Sequence, residues 1–232
     1  MVIIIIIISV IVIPIVIRYI VNLISQKIEE ERKQAELLRK QEEEEKWQED
    51  IRTGKVNFAK AEICYDLGTV YLKEGKFDEA IKQFNFAIES NSRHKDAYCN
   101  MGIVYKEKGD IDKAIENYLK VLSLDLYDIA VNFNLGLAYM EKKQSEYAQP
   151  CFLRATASTD NHINAIAHLN LGLIEVNQQD GSLSAIDHWV KVLKYEPNNS
   201  NAIKFIDETM QKYGITRERV MRIFNDYNVR IS

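Results

Sequence analysis

Few residues in this chain are of the types that do chemistry. The four histidines are His94, His162, His168 and His188, and the three cysteines are Cys64, Cys99 and Cys151. A metal centre needs ligands at short, fixed spacings such as HExxH or CxxC, and neither occurs. Cysteines scattered in this way do not form a disulfide framework either. No GxxxxGK[ST] loop is present to cradle phosphate, and no GxSxG elbow to raise a serine nucleophile. The 34 acidic residues recur at helical spacing among 30 basic ones, as on solvated helix faces, and no catalytic carboxylate pair stands out. The expectation is a chain that is not an enzyme and has no cofactor and no metal. The net charge of −4 offers no general attraction to nucleic acid.

The elements that carry these residues fall into three regions. Residues 2–25 hold 12 Ile, 5 Val and 1 Leu, with no charge before Arg18. As a helix this run is about 36 Å long, enough to cross a hydrocarbon core, and its aliphatic side chains outweigh one arginine near an end. The expected reading is a transmembrane helix over 1–25. No basic start and no A-x-A pattern marks a cleaved signal. Lys27, Arg32, Lys33, Arg39 and Lys40 follow the run, which puts the remainder of the chain on the cytoplasmic side by the positive-inside rule. Residues 29–50 hold 10 acids and 5 bases. They lack Gly and Pro and form i,i+4 pairs such as Glu29 with Lys33 and Glu36 with Lys40. This predicts a charged spacer helix within a neck over 26–60.

The body repeats. Gly68, Gly102, Gly136 and Gly172 are spaced by 34, 34 and 36 residues. Tyr71, Tyr105 and Tyr139 follow the first three glycines at a fixed interval, as do Ala80, Ala114 and Ala148, then Phe84, Tyr118 and Phe152. Each unit reads as two amphipathic helices that approach closely where glycine meets alanine, with the aromatics filling the space between. One such hairpin cannot bury both faces, so several must stack. The fourth unit departs from the pattern. Glu175 stands where the tyrosine is expected, and a one-residue insertion is expected near Asp180–Gly181.

On these positions residues 61–199 resemble the tetratricopeptide repeat family. The resemblance implies an all-α, right-handed solenoid of helical hairpins, with repeats at 61–94, 95–128, 129–162 and 163–199. Residues 200–232 are expected to form C-terminal capping helices. The resemblance further implies that the first helix of each repeat lines a concave groove. Carried onto this chain, the groove residues are Glu62, Tyr65, Thr69 and Lys73; Asp96, Cys99, Ile103 and Lys106; Phe133, Leu137 and Met140; and Leu169 and Leu173. One subfamily grips acidic chaperone tails with a Lys/Asn/Asn/Lys/Arg clamp. The corresponding positions here are Tyr65, Thr69, Asn100, Ala130 and Asn134, and only Asn100 matches, so a carboxylate would find no cation.

The apolar stripe fits an amphipathic helix or an extended apolar peptide instead. Packing of the same side chains against neighbouring hairpins stays open as the alternative. The function expected is a membrane-anchored protein–protein interaction scaffold with a protein partner and no nucleic acid. A transient assembly factor for a membrane complex is an alternative. Homo-oligomerisation into a coat through the last repeat is another.

Overall fold

The computed structural model describes residues 13–178 and 182–229. Among these there are eleven helices and no strands. The chain divides into two units at Asn57–Phe58.

The first unit contains one helix of 40 residues, α1 (Ile13–Arg52). The spacer helix and the end of the apolar run are therefore one continuous element, with no break near residue 25. Side chains 21–46 are all exposed, and only Trp47 and Asp50 are half-buried. What favours the helix is local: Lys33 lies 3.8 Å from Glu29, Lys40 2.8 Å from Glu36, and Arg39 3.8 Å from Glu43. Thr53 and Gly54 end it, the glycine at φ +70°. Among the described residues no helix is long and apolar enough to cross a membrane. Half of the apolar run expected to do so, residues 1–12, lies outside the described residues.

The second unit is a series of hairpins. They are α2 (Phe58–Lys73) with α3 (Phe77–Ser90), α4 (Lys95–Glu107) with α5 (Ile111–Leu124), α6 (Ile129–Glu141) with α7 (Ser145–Ala155), and α8 (Asn161–Glu175) with α9 (Ser182–Tyr195). Then come α10 (Ser200–Tyr213) and α11 (Arg217–Asp226). The starts are capped by short polar side chains that accept from the first-turn amides. Asp110 accepts from Lys113 N, Asp128 from Val131 N, Asp160 from Ile163 N and Asn199 from Ala202 N. After α2, α4 and α6 the chain turns through a left-handed residue, Gly75, Gly109 or Lys143.

The repeat glycines are contact points. A Cβ on Gly68 would lie 2.7 Å from the Phe84 ring, one on Gly102 2.5 Å from Tyr118, one on Gly136 2.8 Å from Phe152 and one on Gly172 2.2 Å from Trp189. Each hairpin thus presses the aromatic ring of its second helix against the bare backbone of its first. Stacking then buries a triplet on the next first helix. Ala97, Met101 and Val104 pack with Ala80, Phe84 and Ala87 of α3, and Ala167, Leu171 and Ile174 with Ala148, Phe152 and Ala155 of α7. The core is therefore a chain of linked clusters and not one central mass. Pro150 lies inside α7, which runs on through it. The residues at the expected insertion, 179–181, lie outside the described ones.

Candidate functional site

The thirteen groove residues lie on α2, α4, α6 and α8, the first helices of the four hairpins. Glu62, Lys73 and Asp96 are exposed; the other ten are half-buried. The apolar members are shared between surface and core. Cys99 and Ile103 lean on the second-repeat cluster, Phe133, Leu137 and Met140 on the third, and Leu169 and Leu173 on the fourth. Phe133 meets Phe152 edge to face, with centroids 6.4 Å apart. Packing against neighbours and partial exposure thus coexist in the same side chains, which leaves an apolar band on helices locked from behind.

The polar end of the band is tied down. The Asn100 amide donates to Tyr65 Oη at 3.3 Å and to Thr69 Oγ1 at 3.4 Å. The single residue that matches the chaperone-tail clamp therefore bridges α2 and α4. His94, which the repeat pattern did not single out, is buried beside this bridge. Its Nδ1 accepts from Ala97 N, its ring lies 4.9 Å from that of Tyr65, and its Nε2 lies 3.5 Å from Glu62.

The fourth repeat holds a polar cluster that spacing alone did not reveal. His168 Nδ1 lies 2.9 Å from His188 Nδ1, and His188 Nε2 lies 3.3 Å from Glu175. Ser184 donates to the other Glu175 oxygen, and Tyr195 stacks on His168 at 6.2 Å. A carboxylate only accepts, so a neutral His188 carries its proton on Nε2 and its Nδ1 accepts from His168. Burial pulls the His168 pKa down to about 4, helped by the neighbouring His188. Burial also lowers that of His188, against the pull of Glu175. Both rings are therefore neutral at neutral pH. The signal was present in the sequence as coincident departures. His168 is in phase with Cys64, Tyr98 and Asn132, and Glu175 with Tyr71, Tyr105 and Tyr139.

Two of the three thiols are unsuited to nucleophilic work. Burial pushes Cys99 and Cys151 up to about 11, so both stay protonated at neutral pH. Among the described residues no three His, Cys, Asp or Glu side chains are grouped to hold a metal ion. Lys73, Asp96 and Lys106 stand on the same first helices as the apolar band.

Comparison with known proteins agrees with the hairpin repeat. Tetratricopeptide repeat families match residues 68–109, 96–126 and 129–162. A solved MamA protein is 23% identical, covers 72% of this chain and 90% of its own, and superposes with a TM-score of 0.62. YrrB, described as a TPR protein with an unusual peptide-binding site, is 19% identical over 78% of this chain and 90% of its own, with a TM-score of 0.62. PilF of Pseudomonas aeruginosa is 22% identical over 73% and 77%, with a TM-score of 0.56. At such identities the likeness is one of fold. No curated protein matches the chain in sequence.

Proposed function

We propose, from a chain that carries tetratricopeptide repeats in an all-helical solenoid, that this protein is a membrane-tethered scaffold whose apolar band captures an amphipathic or extended apolar segment of another protein. The observation that carries this reading is the half-buried state of Ile103, Phe133, Leu137, Met140, Leu169 and Leu173 on successive first helices. Side chains fixed from behind by core clusters lose little rotamer freedom when a ligand covers them, which favours binding. The lack of cations at the clamp positions argues against an acidic tail. That YrrB, which shares the fold, is described as having a peptide-binding site is consistent with this use.

The tether is residues 2–25, with their 18 aliphatic side chains. The basic residues from Lys27 onward favour a solenoid on the cytoplasmic side. Tethering raises local concentration, so modest groove affinity suffices.

The test uses the full chain mixed with lipid vesicles and panned against a random peptide library. The chain is expected to float with the lipid after a carbonate wash and to enrich apolar, amphipathic sequences. Phe133→Glu with Leu137→Glu should lose that enrichment while staying helical. Unchanged enrichment by the double variant rules out the groove; loss of the protein from the lipid after the wash rules out the tether.

A further inference from the structure

The apolar band has edges, and on α4 and α6 those edges are acidic. Asp96, Cys99, Ile103 and Glu107 recur at i, i+3 and i+4 along α4, so they share one helix face, and Phe133, Leu137 and Glu141 do the same on α6. Asp96 and Glu107 thus bound the band on either side of Cys99 and Ile103, and Glu141 bounds it beyond Leu137. All three acids are exposed. Asp128, which caps the start of α6, adds to the edge at Asp96. Burial, then Asp128 and Asp96, hold the Cys99 thiol up at about 11, so the negative field of this edge reaches into the band.

Each exposed acid is next in sequence to a lysine, and each of those lysines is engaged elsewhere. Lys95, beside Asp96, lies 2.8 Å from Asp125 at the end of α5. Lys108, beside Glu107, pairs with Asp78 in the first turn of α3. Lys142, beside Glu141, pairs with Asp112 in the first turn of α5. The second helices therefore take the cations, and among the described residues no ion pair engages Asp96, Glu107 or Glu141. The basic residues of α4 are Lys95 and Lys106, and α6 has none. That leaves the half-buried Lys106 as the cation these two helices set against the acids.

Building on the groove proposed above, we infer that its occupant is a basic amphipathic helix of another protein, with Lys or Arg on both flanks of its apolar face. Charge complementarity selects cations on the partner, since the acids meet none at home. The width of the band selects a helix. Asp96 and Glu107 are eleven residues apart, about 16 Å along α4, and a helix with its side chains is about 10–12 Å across. A helix lying across α4 and α6 fits between the two edges with its flanking cations in reach of both. An extended strand, whose neighbours sit about 5 Å apart, would leave one edge unanswered. Exposed pairs of this kind add little affinity each. The apolar band supplies the bulk of it, and the edges set which sequence is chosen and how fast it arrives.

The test uses the full chain in micelles of an uncharged detergent and two fluorescent synthetic helices that share one leucine face. One carries Lys on both flanks of that face and the other carries Glu. Binding is read by anisotropy, with binding to empty micelles subtracted. At low salt the Lys-flanked helix is expected to bind about 10-fold more tightly, and about 1 M salt should shrink that advantage. Asp96→Lys with Glu107→Lys should reverse the preference, a result that misfolding cannot produce. Equal affinities, a preference for the Glu-flanked helix, or a preference indifferent to the charge reversal overturns the inference. The groove itself survives those outcomes if Phe133→Glu with Leu137→Glu still abolishes binding. If neither helix binds, or if binding ignores that double variant, the groove falls and the inference with it.

Discussion

The helix at Ile13–Arg52 and the hairpins from Phe58 onward are helical for different reasons. In the long helix, no side chain from 21 to 46 is even half-buried. Its support is residue propensity and ion pairs such as Glu36–Lys40 at 2.8 Å, each worth a few tenths of a kcal/mol. The hairpin helices include two residues that a free helix would reject. Gly102 sits mid-helix at a cost of about 1 kcal/mol relative to alanine, and Asn132 is fully buried. Tertiary contact offsets the first penalty, and local backbone carbonyls satisfy the amide of the second. The glycine admits the Tyr118 ring, and the Asn132 amide donates to Leu126 O at 3.0 Å and Asp128 O at 2.8 Å. Local preference dominates the first region and packing dominates the second.

The sharpest way to break that contrast is alanine at a repeat glycine. Gly102→Ala places a methyl 2.5 Å from a fully buried ring and is expected to cost about 2–3 kcal/mol, seen as a lower melting temperature. Gln34→Ala in the long helix should be neutral or slightly stabilising. If Gly102→Ala raised the melting temperature, as propensity alone predicts, packing would not be what holds the hairpins.

A second, smaller effect concerns acid. Burial holds the native His168 pKa down at about 4 against an ordinary 6.5, so between those values the unfolded chain binds a proton that the folded chain refuses. Stability contributed by the neutral ring is therefore complete above pH 6.5 and falls as pH drops toward 4, by about 3 kcal/mol at most. Denaturant melts across that range should show the slope. His168→Tyr, which copies Tyr98 at the same phase, should flatten it. The long helix, lacking buried titratable groups among its described side chains, should show no such dependence on histidine.

The smallest effect is that of salt. Raising ionic strength from low to about 1 M shortens the screening length from tens of Å to about 3 Å. A peptide covering residues 26–52 should lose a measurable share of its helical circular dichroism. The spectrum of residues 58–232 should barely change, because apolar burial is not screened. Equal losses in both would erase the distinction drawn here.

Particular residues show how far the sequence could be read. The glycines and their partner aromatics were legible as a period because close approach permits no other residue type, and the structure puts each glycine against the ring of its own unit. Glu175 was legible as an exception, but its purpose was not. That purpose needs His188 and Ser184, which lie 13 and 9 residues away and meet it only once α9 folds back on α8. The Asn100 match to the clamp was legible, whereas its engagement by Tyr65 and Thr69 was not. The helix continuous from Ile13 to Arg52 was read as two elements, because lipid-type and water-type composition change at residue 25 while the backbone has no reason to.

Sequence alone determined the architecture, since a 34-residue beat of small and aromatic positions can be satisfied only by stacked hairpins, whatever their surroundings. It could not distinguish Ile63, Leu67 and Val70 from Ala97, Met101 and Val104, because the two triplets occupy one phase with one chemistry. Only the tertiary structure decided that the second is core and the first is surface. Burial is a property of what lies across the face, and for Ala97, Met101 and Val104 that is α3 of the preceding hairpin.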